Sequence, residues 1–138
     1  MVPPSRRHRL FVWGRPGTVF GYLDCGPVHS DDATPGAAEA GEVYELYVDP
    51  SAQGHGGGTV LLERAEQWLS EVGFARQELS VLASNPGAQA FYRQRGWAPT
   101  GVVARVDLGT VAFDEARFER VSGSERPVLP SQPLPESE

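Results

Sequence analysis

The chain has 138 residues, a formal net charge of −6 and a pI near 5.0. That size fits one domain with one core, and the acidity argues against nonspecific nucleic-acid binding, which needs clustered cations to neutralise phosphates. All 12 basic residues are Arg, Cys25 has no second cysteine to pair with, and no apolar run approaches the roughly 20 residues of a membrane-spanning helix. A soluble protein of the reducing cytoplasm, away from membranes, is therefore expected.

Arg6, Arg7 and Arg9 ahead of Leu10-Phe11-Val12-Trp13 imitate the start of a signal peptide, but the apolar run stops at Gly14-Arg15, too early for a secretory segment. Residues 9–26 predict a hairpin, with strands at 9–13 and 18–25 and a turn at Gly14-Arg15-Pro16-Gly17, because β-branched and aromatic residues flank a Pro/Gly turn. Residues 26–41 turn to Gly, Pro, Ala, Asp and Ser, the composition of a surface loop, and carry Asp31 and Asp32. Their acidity hints at a cationic acceptor.

A third strand is predicted over 42–48, where period-two alternation sends Glu42, Tyr44, Leu46 and Val48 to one face and Val43, Glu45 and Tyr47 to the other. Residues 58–72 form an amphipathic helix with Leu61, Leu62, Ala65, Trp68, Leu69 and Val72 on its apolar stripe, Glu63, Arg64, Glu66 and Gln67 outside it, and Gly73 as its stop. Glu78–Leu82 reads as a buried strand, and Ser84-Asn85-Pro86 as the entry to a second helix that reaches about Arg95 and ends at Gly96. Strands at 102–108 and 115–121 suggest a closing antiparallel pair. The domain thus covers 1–121, and the Pro-, Ser- and Glu-rich stretch 122–138 is expected to remain an unfolded tail.

Glycines at 54, 56, 57 and 58 stand between the third strand and the first helix. There they let backbone N–H groups turn inward beside the unpaired donors and positive dipole end of the helix, so the loop suits an anion such as a diphosphate. An ATP-type P-loop is excluded because it needs a lysine, and the dinucleotide fingerprint fails because the sixth position from Gly54 is Thr59.

Two motifs in order remain. Gln53, Gly56 and Gly58 form Gln-x-x-Gly-x-Gly after Tyr47-Val48-Asp49-Pro50, and Asn85, Ala88, Phe91 and Tyr92 are followed by Gly96-Trp97. With them the chain resembles the acyl-CoA-dependent N-acetyltransferases of the GNAT superfamily, over about residues 9–121 and most strongly over 42–97.

The resemblance implies an α/β (α+β) fold: a mixed, mostly antiparallel sheet with flanking helices in the order β-β-β-α-β-α-β-β. It implies acetyl-CoA as cosubstrate, lying in a V between the two central strands. The diphosphate would rest on the loop Gln53, Gly54, His55, Gly56, Gly57, Gly58 and Thr59, with His55 lending a donor. The pantetheine arm would pair with the strand Leu46, Tyr47 and Val48 and touch Asn85 and Ala88, and Phe91 would pack on the cofactor. One departure is Gly57, where the family usually carries a larger residue; three consecutive glycines cost roughly 1 kcal/mol each in a helix, so a soft helix start is expected.

For catalysis, Tyr92 is the expected donor to the leaving thiolate, since a phenol with a pKa near 10 stays protonated at neutral pH. Glu42 and Glu45 are candidate bases for the acceptor ammonium, directly or through water. His8, His29 and His55 lack metal-ligand spacing, so no metal is expected.

Family members normally begin with another strand and two helices that help wall the acceptor site, so either the chain is an N-terminally shortened member, or a dimer partner supplies that wall, or the true start lies upstream. An apolar sheet face left open there would favour a homodimer. The activity expected is acetyl transfer to a primary amine of a small molecule or peptide by direct attack. The alternative is a noncatalytic acyl-CoA-binding module.

Overall fold

The structure is a computed structural model that describes residues 8–29 and 39–121. Asp31 and Asp32 of the acidic loop and the 122–138 tail lie outside these residues. In chain order the elements are β1 (Arg9–Arg15), β2 (Thr18–Pro27), β3 (Ala40–Val48), a 3-10 turn (Pro50–Ala52), α1 (Gly57–Glu71), β4 (Arg76–Leu82), α2 (Pro86–Gln94), β5 (Ala98–Asp107) and β6 (Ala112–Val121). This is the predicted order. The hairpin turn is tighter than predicted, because β1 continues through Gly14 and Arg15 and only Pro16-Gly17 connects the strands, with Gly17 at φ +84°. Such a two-residue loop needs a positive φ that glycine adopts without penalty.

The six strands are ordered β1-β2-β3-β4-β6-β5 and are antiparallel except for β3–β4. The closing pair is antiparallel as predicted, but the last strand inserts beside β4 and leaves β5 at the edge. Both helices share one core with the sheet. Leu61, Leu62, Ala65 and Leu69 of α1 meet Leu23, Cys25 and Val43 there, while Tyr92, Trp97, Leu79 and Phe118 fill the α2 side.

Two expectations about α1 change. Val72 lies beyond the core and is exposed, whereas Glu66 is buried and its Oε2 accepts from Trp97 Nε1 at 2.8 Å. The indole N–H needs an acceptor inside the core, and that need overrides the helical periodicity.

The simple alternation along β3 also fails. Cys25 pairs with Val43 but Asp24 pairs with Glu45, so Tyr44 is an extra residue in a β-bulge. Val43, Leu46 and Val48 therefore all face the helices, and Glu42, Glu45 and Tyr47 face away.

β3 and β4 pair at three positions only, Ala40↔Arg76, Gly41↔Gln77 and Glu42↔Glu78, and then part, as the resemblance implied. At the last pair two carboxylates stand directly opposite, an arrangement that repels. Arg117 of β6 resolves it: Nη1 donates to Glu42 Oε2 at 2.8 Å and Nε to Glu78 Oε1 at 3.0 Å. Arg76 also binds Glu78 and stands 3.6 Å from Glu119.

The sheet face away from the helices is thus not the apolar surface anticipated for a shortened chain. Its β4–β6 half is this ion-pair network. Its β1–β3 half carries an apolar row, Val12, Tyr22 and Tyr47 across three strands next to Leu10, with Glu45 beside Tyr22.

Replacing Arg117 with Met leaves Glu42 and Glu78 facing each other in a buried site, and the expected loss is about 3–5 kcal/mol of unfolding free energy in urea titrations. Adding Glu42→Gln and Glu78→Gln in the same chain should recover most of it.

Candidate active site

The glycine loop begins where β3 ends. Asp49 caps the 3-10 turn, accepting from Ser51 N at 2.9 Å and Ser51 Oγ at 2.6 Å, and these hydrogen bonds hold its carboxyl below the usual range. Gln53 Nε2 then reaches back to the Val48 carbonyl at 3.2 Å. Gly56 is the N-cap of α1 at φ +82°, and no side chain caps the helix, so the amides of its first turn carry no capping partner. Gly57 is a matter of space as well as flexibility: a Cβ there would stand 2.3 Å from the Trp13 indole. The β1 tryptophan occupies the volume that a larger residue at position 57 would need.

Beside this loop lies a cleft of about 710 Å³. Gln53, Gly54, Gly56, Gly57, Gly58 and Thr59 form its glycine wall, Leu46 and Val48 its β3 edge, and Asn85, Ala88, Phe91 and Tyr92 its α2 side. The structure therefore brings together twelve of the residues singled out from sequence for the coenzyme or the leaving group.

Tyr47 and His55 are not among the lining residues. The Tyr47 ring lies on the helix-free face, 5.7 Å from that of Tyr22. Its main chain is turned toward β2 as well. Asp49 N–H donates to Phe20 C=O at 2.7 Å, and in an antiparallel ladder such pairs alternate, so Tyr47 also points its groups to β2 while Leu46 and Val48 point theirs into the V. The His55 side chain is exposed.

Asn85 is the N-cap of α2, and its Oδ1 accepts from Ala88 N at 3.0 Å. Its amide NH₂ remains free of the cap and can donate to a ligand.

Sequence reasoning missed Gly87 and Arg95, which also line the cleft. Arg95 donates to Thr59 Oγ1 from Nε at 3.0 Å and Nη2 at 2.7 Å, and to the Phe91 carbonyl from Nη1 at 2.9 Å. Its guanidinium lies 3.8 Å from the Phe91 ring centre. The available signal was spacing, since an Arg four residues after a cleft-facing Phe shares its helix face.

Tyr92 is almost fully buried, its ring edge-on to Phe91 at 5.2 Å and packed with Trp97 and Phe118. Burial pushes the phenol up to about 12. The two carboxylate candidates lie apart from this cleft, on the other face of the sheet. Glu42 is buried, with Oε2 on Arg117 and Oε1 3.5 Å from His29 Nδ1. Glu45 is exposed and accepts from Tyr22 OH at 2.8 Å. Glu42 also lines a second cleft of about 690 Å³, which includes Tyr44, Ser80, Thr100 and Arg117 and shares no lining residue with the first.

Gly57→Ala is expected to destabilise the fold by about 1–3 kcal/mol through overpacking against Trp13. Trp13→Leu in the same chain should restore part of that loss in thermal melts. The Tyr92 phenol ionises near 10 when unfolded and near 12 when folded, so the unfolded chain loses its proton first and stability falls as pH rises through that window. The contribution is up to about 3 kcal/mol, and it should be absent from a Tyr92→Phe variant in denaturation at pH 10 to 12.

The sequence matches the Acetyltransferase (GNAT) family over residues 3–97. It is 44% identical over 71 residues to a mycothiol acetyltransferase of Beutenbergia cavernae, covering 51% of this chain and 24% of that protein. It is 31% identical over 100 residues to the uncharacterized N-acetyltransferase YuaI of Bacillus subtilis, covering 70% of this chain and 56% of that one. The chain therefore spans about a quarter to a half of these relatives' lengths. The fold is similar to that of the ribosomal-protein-alanine N-acetyltransferase from Brucella melitensis, with a TM-score of 0.72 at 22% identity over 85% of this chain and 70% of that chain. A family match across both motifs, on a sheet whose central strands part beside a glycine-capped helix, establishes that this chain belongs to the GNAT acetyltransferase family.

Proposed function

We propose that the protein transfers an acetyl group from acetyl-CoA to a primary amine by direct attack in a ternary complex. The observation that carries this reading is the continuity of one cleft, from the uncapped amides at the start of α1 to the unpaired β3 edge at Leu46 and Val48 and on to the buried hydroxyl-bearing side chain of Tyr92. A diphosphate suits the first end, because several N–H donors and the helix dipole converge there. An amide-containing arm suits the second, because an open strand edge offers main-chain donors and acceptors. Acetyl-CoA supplies the activated acyl group.

In the reaction the amine nitrogen forms a bond to the thioester carbonyl carbon, the C–S bond breaks, and the electron pair leaves on sulfur. Tyr92 is suited to steady that developing thiolate by a hydrogen bond. Handing over its proton outright is unfavourable: a thiol near 8.5 against a phenol near 12 is an uphill transfer of roughly 5 kcal/mol. The ammonium first gives one proton to a base and attacks as the neutral amine; the second proton, lost from nitrogen as the amide forms, neutralises the sulfur, and the products are an amide and a free thiol. Glu45 is the better placed of the two carboxylates to accept the first of these protons through water, because it is exposed on the helix-free face, while one oxygen of Glu42 is held by Arg117. The acceptor would approach from that face and the coenzyme from the helix face. We assign the reaction to the cytoplasm, where acetyl-CoA and small amines meet. A small amine or a peptide N-terminus both suit an opening of this kind.

Calorimetry with acetyl-CoA, run beside a thiol-release assay over a panel of amines, tests the proposal. Cys25 is fully buried, so a thiol reagent reads released CoA. Heat on titration together with amine-dependent release is the expected result. Binding with no release over the whole panel would favour the noncatalytic coenzyme-binding module. Tyr92→Phe should lower turnover by roughly 10²-fold or more with CoA affinity retained; unchanged turnover would remove Tyr92 from the chemistry.

A further inference from the structure

Arg95 is attached to α2, yet its guanidinium is fixed against the first turn of α1. Two of its nitrogens converge on one oxygen, Thr59 Oγ1, at 3.0 and 2.7 Å. A hydroxyl oxygen has two lone pairs, so with both engaged the Thr59 hydroxyl can only donate its proton, and Thr59 lines the cleft. Thr59 is also the third residue of α1, one of the positions whose main-chain N–H lacks a helical acceptor. Arg95 Nη1 on the Phe91 carbonyl and the stack on the Phe91 ring remove the remaining freedom of the side chain.

The electrostatics are those of a site lacking its counter-charge. A cation beside a helix N-terminus is repelled by the dipole, and here α1 has no acidic residue in its first turn and no side-chain cap. The first turn of α1 with its uncapped amides, the Thr59 hydroxyl held as a donor and the Arg95 guanidinium belong to residues that line the same cleft. Three of the guanidinium's five N–H groups are engaged, and the two left on Nη1 and Nη2, with the other donors, match the oxygens of a phosphate group.

We infer that Arg95, acting with Thr59, is the determinant that makes this protein select a nucleotide-bearing thioester, by its diphosphate, over the same thioester on bare pantetheine. The inference rests on the proposed coenzyme reading and adds to it a residue, a phosphate and a direction of specificity. Phe91 has a second part here. Its ring is the platform that holds the guanidinium flat, and the same ring stands 3.4 Å from where a Cβ of Gly58 would lie, so the stack borders the glycine wall directly.

The test compares acetyl-CoA with S-acetylpantetheine, which lacks every phosphate, as dissociation constants and as kcat/KM on the full chain. Arg95→Gln and Thr59→Val should each weaken acetyl-CoA by roughly 10- to 100-fold, the scale of a hydrogen bond involving a charged group, while S-acetylpantetheine changes less than about twofold. Because the two side chains act as one unit, the double variant should lose little beyond either single one. Thr59→Ser, which keeps the hydroxyl, should recover most of the acetyl-CoA affinity that Thr59→Val loses. Arg95→Lys keeps the charge without the fork and should fall between wild type and Arg95→Gln. Wild-type affinity for acetyl-CoA in Arg95→Gln overturns the inference, and so does an equal loss for both thioesters, which would mark Arg95 as a structural strut between the helices. A wild-type protein that takes neither thioester overturns the coenzyme reading itself.

Discussion

The cleft depends on one constraint: two central parallel strands that are allowed to pair for only three residues. A parallel pair normally continues until both strands run out, because each main-chain N–H and C=O needs a partner. Here Glu42↔Glu78 is the last pair, and beyond it the β3 edge at Leu46 and Val48 opens onto the cleft. Part of the cost is offset locally, since Gln53 returns a donor to the Val48 carbonyl. The parting point is held from the third side by Arg117, which bridges the two carboxylates and ties β6 to both strands.

The opening alone would be a gap in a sheet. It becomes a binding cleft because elements distant in sequence close around its ends. Trp13 from the first strand packs over Gly57, so the hairpin is the floor on which the glycine loop rests. Arg95 from the end of α2 reaches Thr59 in the first turn of α1, so both helices wall the glycine end of the cleft. At the other end Tyr92 shares its pocket with Trp97 and Phe118, and the packing that places the hydroxyl also raises its pKa.

The two faces of the sheet divide the work. The helix face carries the apolar core and the cleft suited to a coenzyme. The helix-free face carries Glu42, Arg117 and Glu78 on one half and the row Val12, Tyr22, Tyr47 on the other, a mixed surface of carboxylates and aromatic rings. The bulge at Tyr44 makes this division possible, because it lets Val43 and Leu46 both face inward while Glu42 and Glu45 both face outward.

Local features were legible in the letters because their physics is local. Glycines at 54, 56 and 58 after a strand, an Asn-Pro helix entry at 85–86, and apolar spacing along α1 fixed the element order and the coenzyme wall, since turn conformation, capping and amphipathicity each involve only a few neighbouring residues. What the tertiary structure alone decided involves partners far apart in the chain. One inserted residue reversed the faces of β3 through its pairing with β2, turning Tyr47 away from the cleft and keeping Leu46 in it. Glu66, polar by type and outside the stripe by spacing, is buried because Trp97, 31 residues on, needs an acceptor. Arg95 finds Thr59 across 36 residues, and Gly57 is small because Trp13 arrives from another strand. Each of these is a contact across the fold, set by which strands lie side by side, and no local window of the chain contains both partners.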